Sequence, residues 1–300
     1  MNKVLVVGDI YIETQYFVDQ IPSAKEFTFS SQAVTTTGSK TINASRVLAK
    51  LNNDVHFFGR VGKDSLGELA ISHLQSFGVN TESVKSQEDQ RTGLISVITD
   101  QNAESGIILF SGANKSIVKN EIDLLQNEID NYDFIYTATN LAPESLYTLI
   151  DIANTKQIPI FIDFPNQHKV IDLTRISAAN FIMPNREETQ LILDVTLNSI
   201  EDAKNAIKQL RAKLKNNILI TLDKDGCLIL ERDRDEPTHF RTEVTEAVDA
   251  TASGDIFRAV FASTIIQTKD IDTSIRRALK AATESTKIKG VDNTLSSLDF

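Results

Sequence analysis

Toward its carboxyl end the chain reads Asp249-Ala250-Thr251-Ala252-Ser253-Gly254-Asp255-Ile256-Phe257. Small residues run up to a carboxylate, and an apolar helical pattern over Ile256–Ile266 begins at once. A helix start offers unpaired backbone N–H groups and the positive end of its dipole. Ala252, Ser253 and Gly254 keep bulk away, so an anionic oxygen can reach those amides. Asp255 then stands beside a bound anion. That is an awkward place for a carboxylate unless it takes a proton from an attacking hydroxyl. The plainer alternative is that Asp255 is an N-cap, for which Asp is an ordinary choice. The run is not a phosphate loop of the Gly-Lys-Ser/Thr kind.

Such a turn needs a sheet behind it. Short apolar runs at Val4–Val7, Val55–Gly59, Phe134–Ala138, Pro159–Phe164, Phe181–Met183 and Asn217–Leu222 read as strands buried on both faces. Helical patterns alternate with them at Thr41–Asn52, Asp64–Phe77, Glu144–Asn154, Arg186–Leu193, Ser199–Lys213 and Asp272–Lys287. Ser65-Leu66-Gly67-Glu68 fits a capping box. Alternation of this kind predicts an α/β protein with a mainly parallel central sheet flanked by helices. In such sheets ligands bind outside the carboxyl ends of the strands. Two stretches break the rhythm. Glu26–Ala33 alternates, and Arg91–Thr99 with Gly106–Phe110 reads as a hairpin. They predict a small antiparallel β lid with one open face.

Composition sets the class. Three hundred residues, 41% hydrophobic and 24% charged, are those of an ordinary globular protein. A net charge of −10 lacks the basic stripe of a nucleic-acid binder and fits a soluble cytoplasmic protein. The one cysteine, Cys227, excludes an internal disulfide framework and reads as a buried strand residue. The start MNKVLVVGD is not a signal peptide, and no run reaches a membrane span. His56, His73, His168 and His239 are scattered, without metal-ligand spacing.

Six segments lie in one order along the chain: Gly38-Ser39-Lys40-Thr41-Ile42-Asn43, Gly59–Gly67, Thr92-Gly93 with Gly112-Ala113-Asn114, Asn185-Arg186-Glu187-Glu188, Thr221–Gly226, and Asp249–Phe257. Together they resemble the signatures of the ribokinase-like carbohydrate kinase (PfkB) family. The resemblance implies one ribokinase-like kinase domain over 1–300, with a lid formed by segments about 11–36 and 91–112. It implies an ATP-dependent phosphotransferase acting on a hydroxyl of a small carbohydrate or related polyol. Asp255 matches the general base, and the amides of Ala252, Ser253 and Gly254 match the anion hole that stabilises the transferring phosphoryl group. Glu188 with Asn185 matches a motif associated with Mg²⁺ and phosphate. Asn185, Thr221, Asp223 and Gly226 match the nucleotide side. Asp249 and Thr251 sit where relatives bind a monovalent cation, K⁺, with Thr294 at the distal position. Glu13, Tyr11, Gly38, Ser39, Lys40, Asn43 and Asn140 match the acceptor side.

The acceptor side also departs from the pattern. Glu13 stands where ribokinase has Asp, and Ser39 and Thr41 replace glycines, so side chains there would reshape the pocket. Tyr11 would contact a ligand or serve lid packing. Asp223 replaces the first Gly of the nucleotide loop and is expected to point to a ribose hydroxyl or to solvent. Arg258 would need a partner that the sequence does not name. Two alternatives to the sugar kinase stand beside it: a nucleoside kinase, and a non-catalytic sugar or nucleotide sensor on the same fold. The open face of Glu26–Ala33 further suggests a homodimer through the lids. No nucleic-acid or membrane partner is expected.

Overall fold

Continuous apolar strands suit a sheet covered on both faces, and β1 (Lys3–Val7) shows why residue by residue. Val4 and Val6 pack into one core and Leu5 and Val7 into the other, because successive side chains point to opposite faces. The computed structural model describes residues 1–102, 104–164, 171–243 and 246–297. His168 therefore lies outside the described residues.

Two sheets are built from strands β2 (Tyr11–Val18), β3 (Ser30–Gly38), β4 (Asp54–Gly62), β5 (Val84–Gln87), β6 (Gly93–Thr99), β7 (Ser105–Phe110), β8 (Phe134–Ala138), β9 (Ile160–Asp163), β10 (Phe181–Met183), β11 (Asn217–Thr221), β12 (Cys227–Leu230) and β13 (Thr238–Phe240), together with β1. The larger has nine strands in the order β13-β12-β11-β10-β9-β8-β1-β4-β5. It is parallel from β11 to β5, and only the β11–β12 and β12–β13 pairs are antiparallel. The smaller has the order β3-β2-β6-β7. Its outer pairs are antiparallel and its middle pair, β2 with β6, is parallel.

Helices α1 (Lys40–Lys50), α2 (Ser65–Ser76), α8 (Ser253–Thr268), α9 (Ile271–Ser285) and α10 (Val291–Ser297) cover one face of the large sheet. On that face Phe161 and Phe181 stack, and Phe134 and Phe261 meet them edge to face. Helices α3 (Lys119–Asp123), α4 (Pro143–Thr155), α5 (Leu173–Ile176) and α7 (Ile200–Lys213) cover the other. Helix α6 (Arg186–Leu193) follows β10 at the carboxyl edge. Helix α8 is buried from Asp255 to Ile265, while Ser253 and Gly254 at its start are half-buried.

Two local expectations change. The strand expected at Glu26–Ala33 begins only at Ser30 and runs to Gly38; Phe27 and Phe29 lie before it, 83% and 84% exposed. Helix α2 is capped by Asp64, not by Ser65. Asp64 accepts the Gly67 N–H at 2.9 Å and also the Thr92 N–H and hydroxyl, which ties α2 to the start of β6. Among the described residues no helix is long and apolar enough to cross a membrane.

Candidate active site

Helix α8 begins without a cap. Ala252 precedes it in the left-handed conformation, at φ 60°, and no side chain bonds the first-turn amides. The first intrahelical bond runs from Ile256 N–H to Ala252 O at 2.9 Å. The Gly254 and Asp255 N–H groups precede it, and Ser253 N–H makes a 3.2 Å turn contact to Ala250 O. Asp255 is thus no N-cap. It turns inward, 8% exposed, where Oδ2 accepts from Asn43 Nδ2 at 2.8 Å and Oδ1 accepts from Arg258 at 3.2 Å. Burial pushes its carboxyl above the usual range, partly offset by the Lys40 and Arg258 charges.

Arg258 finds two acids. Its Nε meets Asp163 Oδ2 at 2.9 Å, while its NH2 meets Asp255. Asp163 closes β9 at the carboxyl end and is fully buried. It also accepts from Tyr136 Oη at 3.1 Å and from Lys40 Nζ at 3.3 Å. Despite burial, the Arg258 and Lys40 charges hold its carboxyl below the usual range. Lys40 reaches on to Glu188 Oε1 at 2.6 Å. These charges come from four separate elements, α1, β9, α6 and α8, and each faces an opposite charge. Removing one partner from such a cluster strands another in a dry interior.

Glu188 is buried, not a solvated first-turn acid. It forms a capping box with Asn185: Asn185 Oδ1 accepts the Glu188 N–H at 2.7 Å, and Glu188 Oε2 accepts the Asn185 N–H at 2.6 Å. With Oε1 on Lys40, both oxygens are engaged. Lys40, grouped with the acceptor residues in sequence, thus reaches toward the Asn185–Glu188 turn.

The acceptor side divides in two. Glu13, on β2, lies against Gly38, where an added Cβ would come 2.6 Å from Glu13 Oε2; the glycine makes room for that carboxylate. Burial raises the Glu13 carboxyl, and the nearby Asp255 adds to the rise while Arg46 opposes it. Glu13 and Asp255 are thus near enough for their charges to interact. Tyr11 and Asn140 converge elsewhere: Tyr11 Oη and Asn140 Nδ2 both donate to Asp9 Oδ2, at 2.8 and 2.6 Å. Tyr11 is buried, with its hydroxyl committed to Asp9. Ser39 does not narrow a pocket. It caps α1, accepting Ile42 N–H at 3.0 Å and donating to Asp9 O at 2.8 Å. Thr41 is buried beneath Gly8.

A cleft of about 830 Å³ opens over this floor, lined by Lys40, Asn185, Thr221, Gly226, Gly254 and Asp255 among others. Asp223 occupies the glycine position of its loop at φ 52°, left-handed, which Asp tolerates better than most residues. Its side chain is 66% exposed and lies 3.6 Å from Arg186 Nε, so its charge is turned to solvent and to a cation. Arg186 also holds Asp225 at 2.6 Å and Leu222 O at 3.2 Å, clamping the loop. Gly226, at φ 86°, sits where a Cβ would collide with the Phe240 carbonyl. Beyond the cleft, both Asp249 oxygens accept backbone N–H groups, Thr251 and Gly290, each at 2.9 Å. Thr294 is buried and donates to Gly290 O at 2.9 Å.

Asp163 and Asp9 were not singled out by sequence. Each ends or follows an apolar strand run at its carboxyl end, and that position was the available signal.

The fold is that of the ribokinase-like kinases. The pfkB family carbohydrate kinase pattern matches residues 1–298, and the chain belongs to that family of ATP-dependent phosphotransferases. Deoxyribokinase of Salmonella typhi is 24% identical over 296 residues, 99% of this chain and 96% of its own. Guanosine-inosine kinase of Exiguobacterium acetylicum is 25% identical over 293 residues, 95% of this chain and 94% of its own. The structure of Arabidopsis thaliana ribokinase complexed with ribose and ATP matches with a TM-score of 0.87 at 21% identity, covering 100% of this chain and 99% of that one.

Proposed function

We propose that this carbohydrate kinase transfers the γ-phosphoryl group of ATP to a hydroxyl of an uncharged sugar or nucleoside, with Asp255 as general base. The observation that carries the reading is the start of α8. It joins an uncapped helix N-terminus to a buried carboxylate that holds one donor on each oxygen. Each Asp255 oxygen keeps acceptor capacity, so a hydroxyl presented from the Glu13 side can surrender its proton there. ATP occupies the cleft of about 830 Å³, with its γ-phosphate toward the amides of Ala252, Ser253 and Gly254. Asn185, Thr221, Asp223 and Gly226 shape the nucleotide side. Glu13, Gly38 and Asn43 shape the acceptor side directly. Ser39, Tyr11 and Asn140 do so through Asp9, and Lys40 bridges the two sides.

Among the described residues no cluster of three or more acids, histidines or cysteines is set to hold a metal. Glu188 is buried behind Lys40 and Asn185, which line the cleft, so it would act on magnesium through water or through Lys40 and not as a direct ligand. Magnesium bound with ATP supplies charge neutralisation and keeps several of its own waters. Asp249 fits a potassium site indirectly: its carboxylate folds the 249–251 and 288–290 loops, whose carbonyls would hold the ion with Thr251. The 1–300 chain acts as one kinase domain in the cytoplasm. Its exposed Phe27, Phe29, Ile107 and Ile108 support a homodimer through the lids; a monomer by sedimentation at micromolar concentration would contradict that part.

The test is ADP release from MgATP with potassium across pentoses, hexoses, hexose phosphates and nucleosides. Turnover with an uncharged polyol is expected. Turnover confined to phosphorylated acceptors, or binding without turnover by any acceptor, would overturn the reading.

A further inference from the structure

Asn43 carries an amide whose two ends are chemically opposite, and its neighbours fix which end points where. Asn43 Nδ2 donates to Asp255 Oδ2 at 2.8 Å. On the other side Arg46 NH2 donates to Asn43 Oδ1 at 2.7 Å, one helical turn along α1. A guanidinium can only donate and a carboxylate only accept, so the amide has a single satisfiable orientation. Both neighbours disfavour the flipped amide, which would turn its oxygen to the Asp255 carboxylate and its NH2 to the Arg46 guanidinium.

Arg46 is itself over-determined. It is 1% exposed, lies over the Phe77 ring at 5.1 Å, and its NH1 donates to Asp292 Oδ1 at 2.6 Å. Asp292, on α10, also accepts from the Thr36 hydroxyl at 3.1 Å and lies 3.6 Å from His73 Nε2. Two residues before it, Gly290 is tied to Asp249. Desolvation lowers the Arg46 guanidinium, and the Asp292, Asp255 and Glu13 charges offset this only in part. A buried cation without contact to the cleft floor is costly unless it organises something.

We propose that Arg46 is a positioning residue for phosphoryl transfer. It acts through Asn43 to hold Asp255 as an oriented acceptor, and Asp292 anchors it to the carboxyl-terminal helix. This rests on the reading of Asp255 as the base. The relay makes docking of α10 a condition for full activity, although α10 touches neither substrate.

The test is a double-mutant cycle on kcat and acceptor KM with Arg46→Met, Asn43→Ala and their combination, each checked by a thermal melt. Arg46→Met should lower kcat about 30-fold, part of the range a positioned base supplies. Acceptor KM should stay within about threefold, because ground-state binding is untouched. The double variant should be little slower than Asn43→Ala alone, because the hydrogen-bonded route from Arg46 to Asp255 runs through Asn43. Where Arg46→Met does not fold, Asp292→Asn, at a half-exposed position, runs the same cycle with an expected kcat loss of about threefold. Multiplying effects in the double variant, or a kcat unchanged in the singles, would overturn the relay. Full turnover in Asp255→Asn would instead remove the base on which it rests.

Discussion

Helices α1 and α8 pack side by side and both begin at the cleft, yet they begin in opposite ways. Ser39 closes α1 with its own side chain, which takes the Ile42 N–H and ties the turn to Asp9 O. Ala252 opens α8 with a left-handed backbone and no side-chain oxygen. An L-residue in that conformation costs roughly 1–2 kcal/mol. A start that is strained and uncapped holds its donors for something other than the fold, whereas a capped start has spent them on stability. Helix α6 falls on the capped side, with Asn185 and Glu188 bonding each other. Of these three starts at the cleft, only that of α8 has no side chain capping its first-turn amides.

Variants at the two starts should separate chemistry from stability. Asp255→Asn should lower acceptor-dependent kcat by about 10³-fold, equivalent to about 4 kcal/mol, with little change in the thermal midpoint. Arg258→Met should act on the fold, since it takes from buried Asp163 its shorter ion pair and leaves it Lys40 and Tyr136 alone; a loss of about 3 kcal/mol is expected in urea unfolding. Ser39→Ala should cost about 1 kcal/mol, the value of a lost cap, and leave kcat within about twofold. A tenfold kcat loss there would blur the two starts.

Acidity gives a further separation. Burial first, with Asp163 adding, raises the Asp255 carboxyl against the lowering by Lys40 and Arg258. A base with a raised pKa is protonated, and so inactive, at a higher pH than an ordinary acid. The acid limb of kcat/KM should therefore lie above the usual carboxylate value of about 4. A limb at or below that value would place the working base elsewhere. Ala252→Gly should have the smallest effect. Relief of left-handed strain and the looser unfolded chain oppose each other, leaving stability within about 1 kcal/mol.

Much of the fold was legible because apolar runs on parallel strands leave little choice of structure. Phe134–Ala138 and Phe181–Met183 occur with the bounds their sequences set. Segments with weaker patterns were less so. Strand β2 carries polar residues on its half-covered lid face, and Glu26–Phe29 alternates without pairing. At the candidate site, the small-residue turn ending at Asp255 was legible from type and spacing, whereas Asn43, Glu188 and Gly226 were picked out only through the resemblance of their segments. That Ser39 caps α1 was not legible, because a cap and a pocket residue share the same chemistry at a helix start. The Asp163–Arg258 pair was not legible, since its partners lie 95 positions apart and only the packing of β9 under α8 joins them. The same holds for Arg46 and Asp292, 246 positions apart.

The central claim is that the open start of α8 performs the chemistry while the rest of the cleft binds ATP. The most direct measurement is on Asp255→Asn alone: calorimetric MgATP affinity beside acceptor-dependent ADP release. The account predicts wild-type ATP affinity with turnover lost. Turnover that persists with wild-type affinity would contradict it.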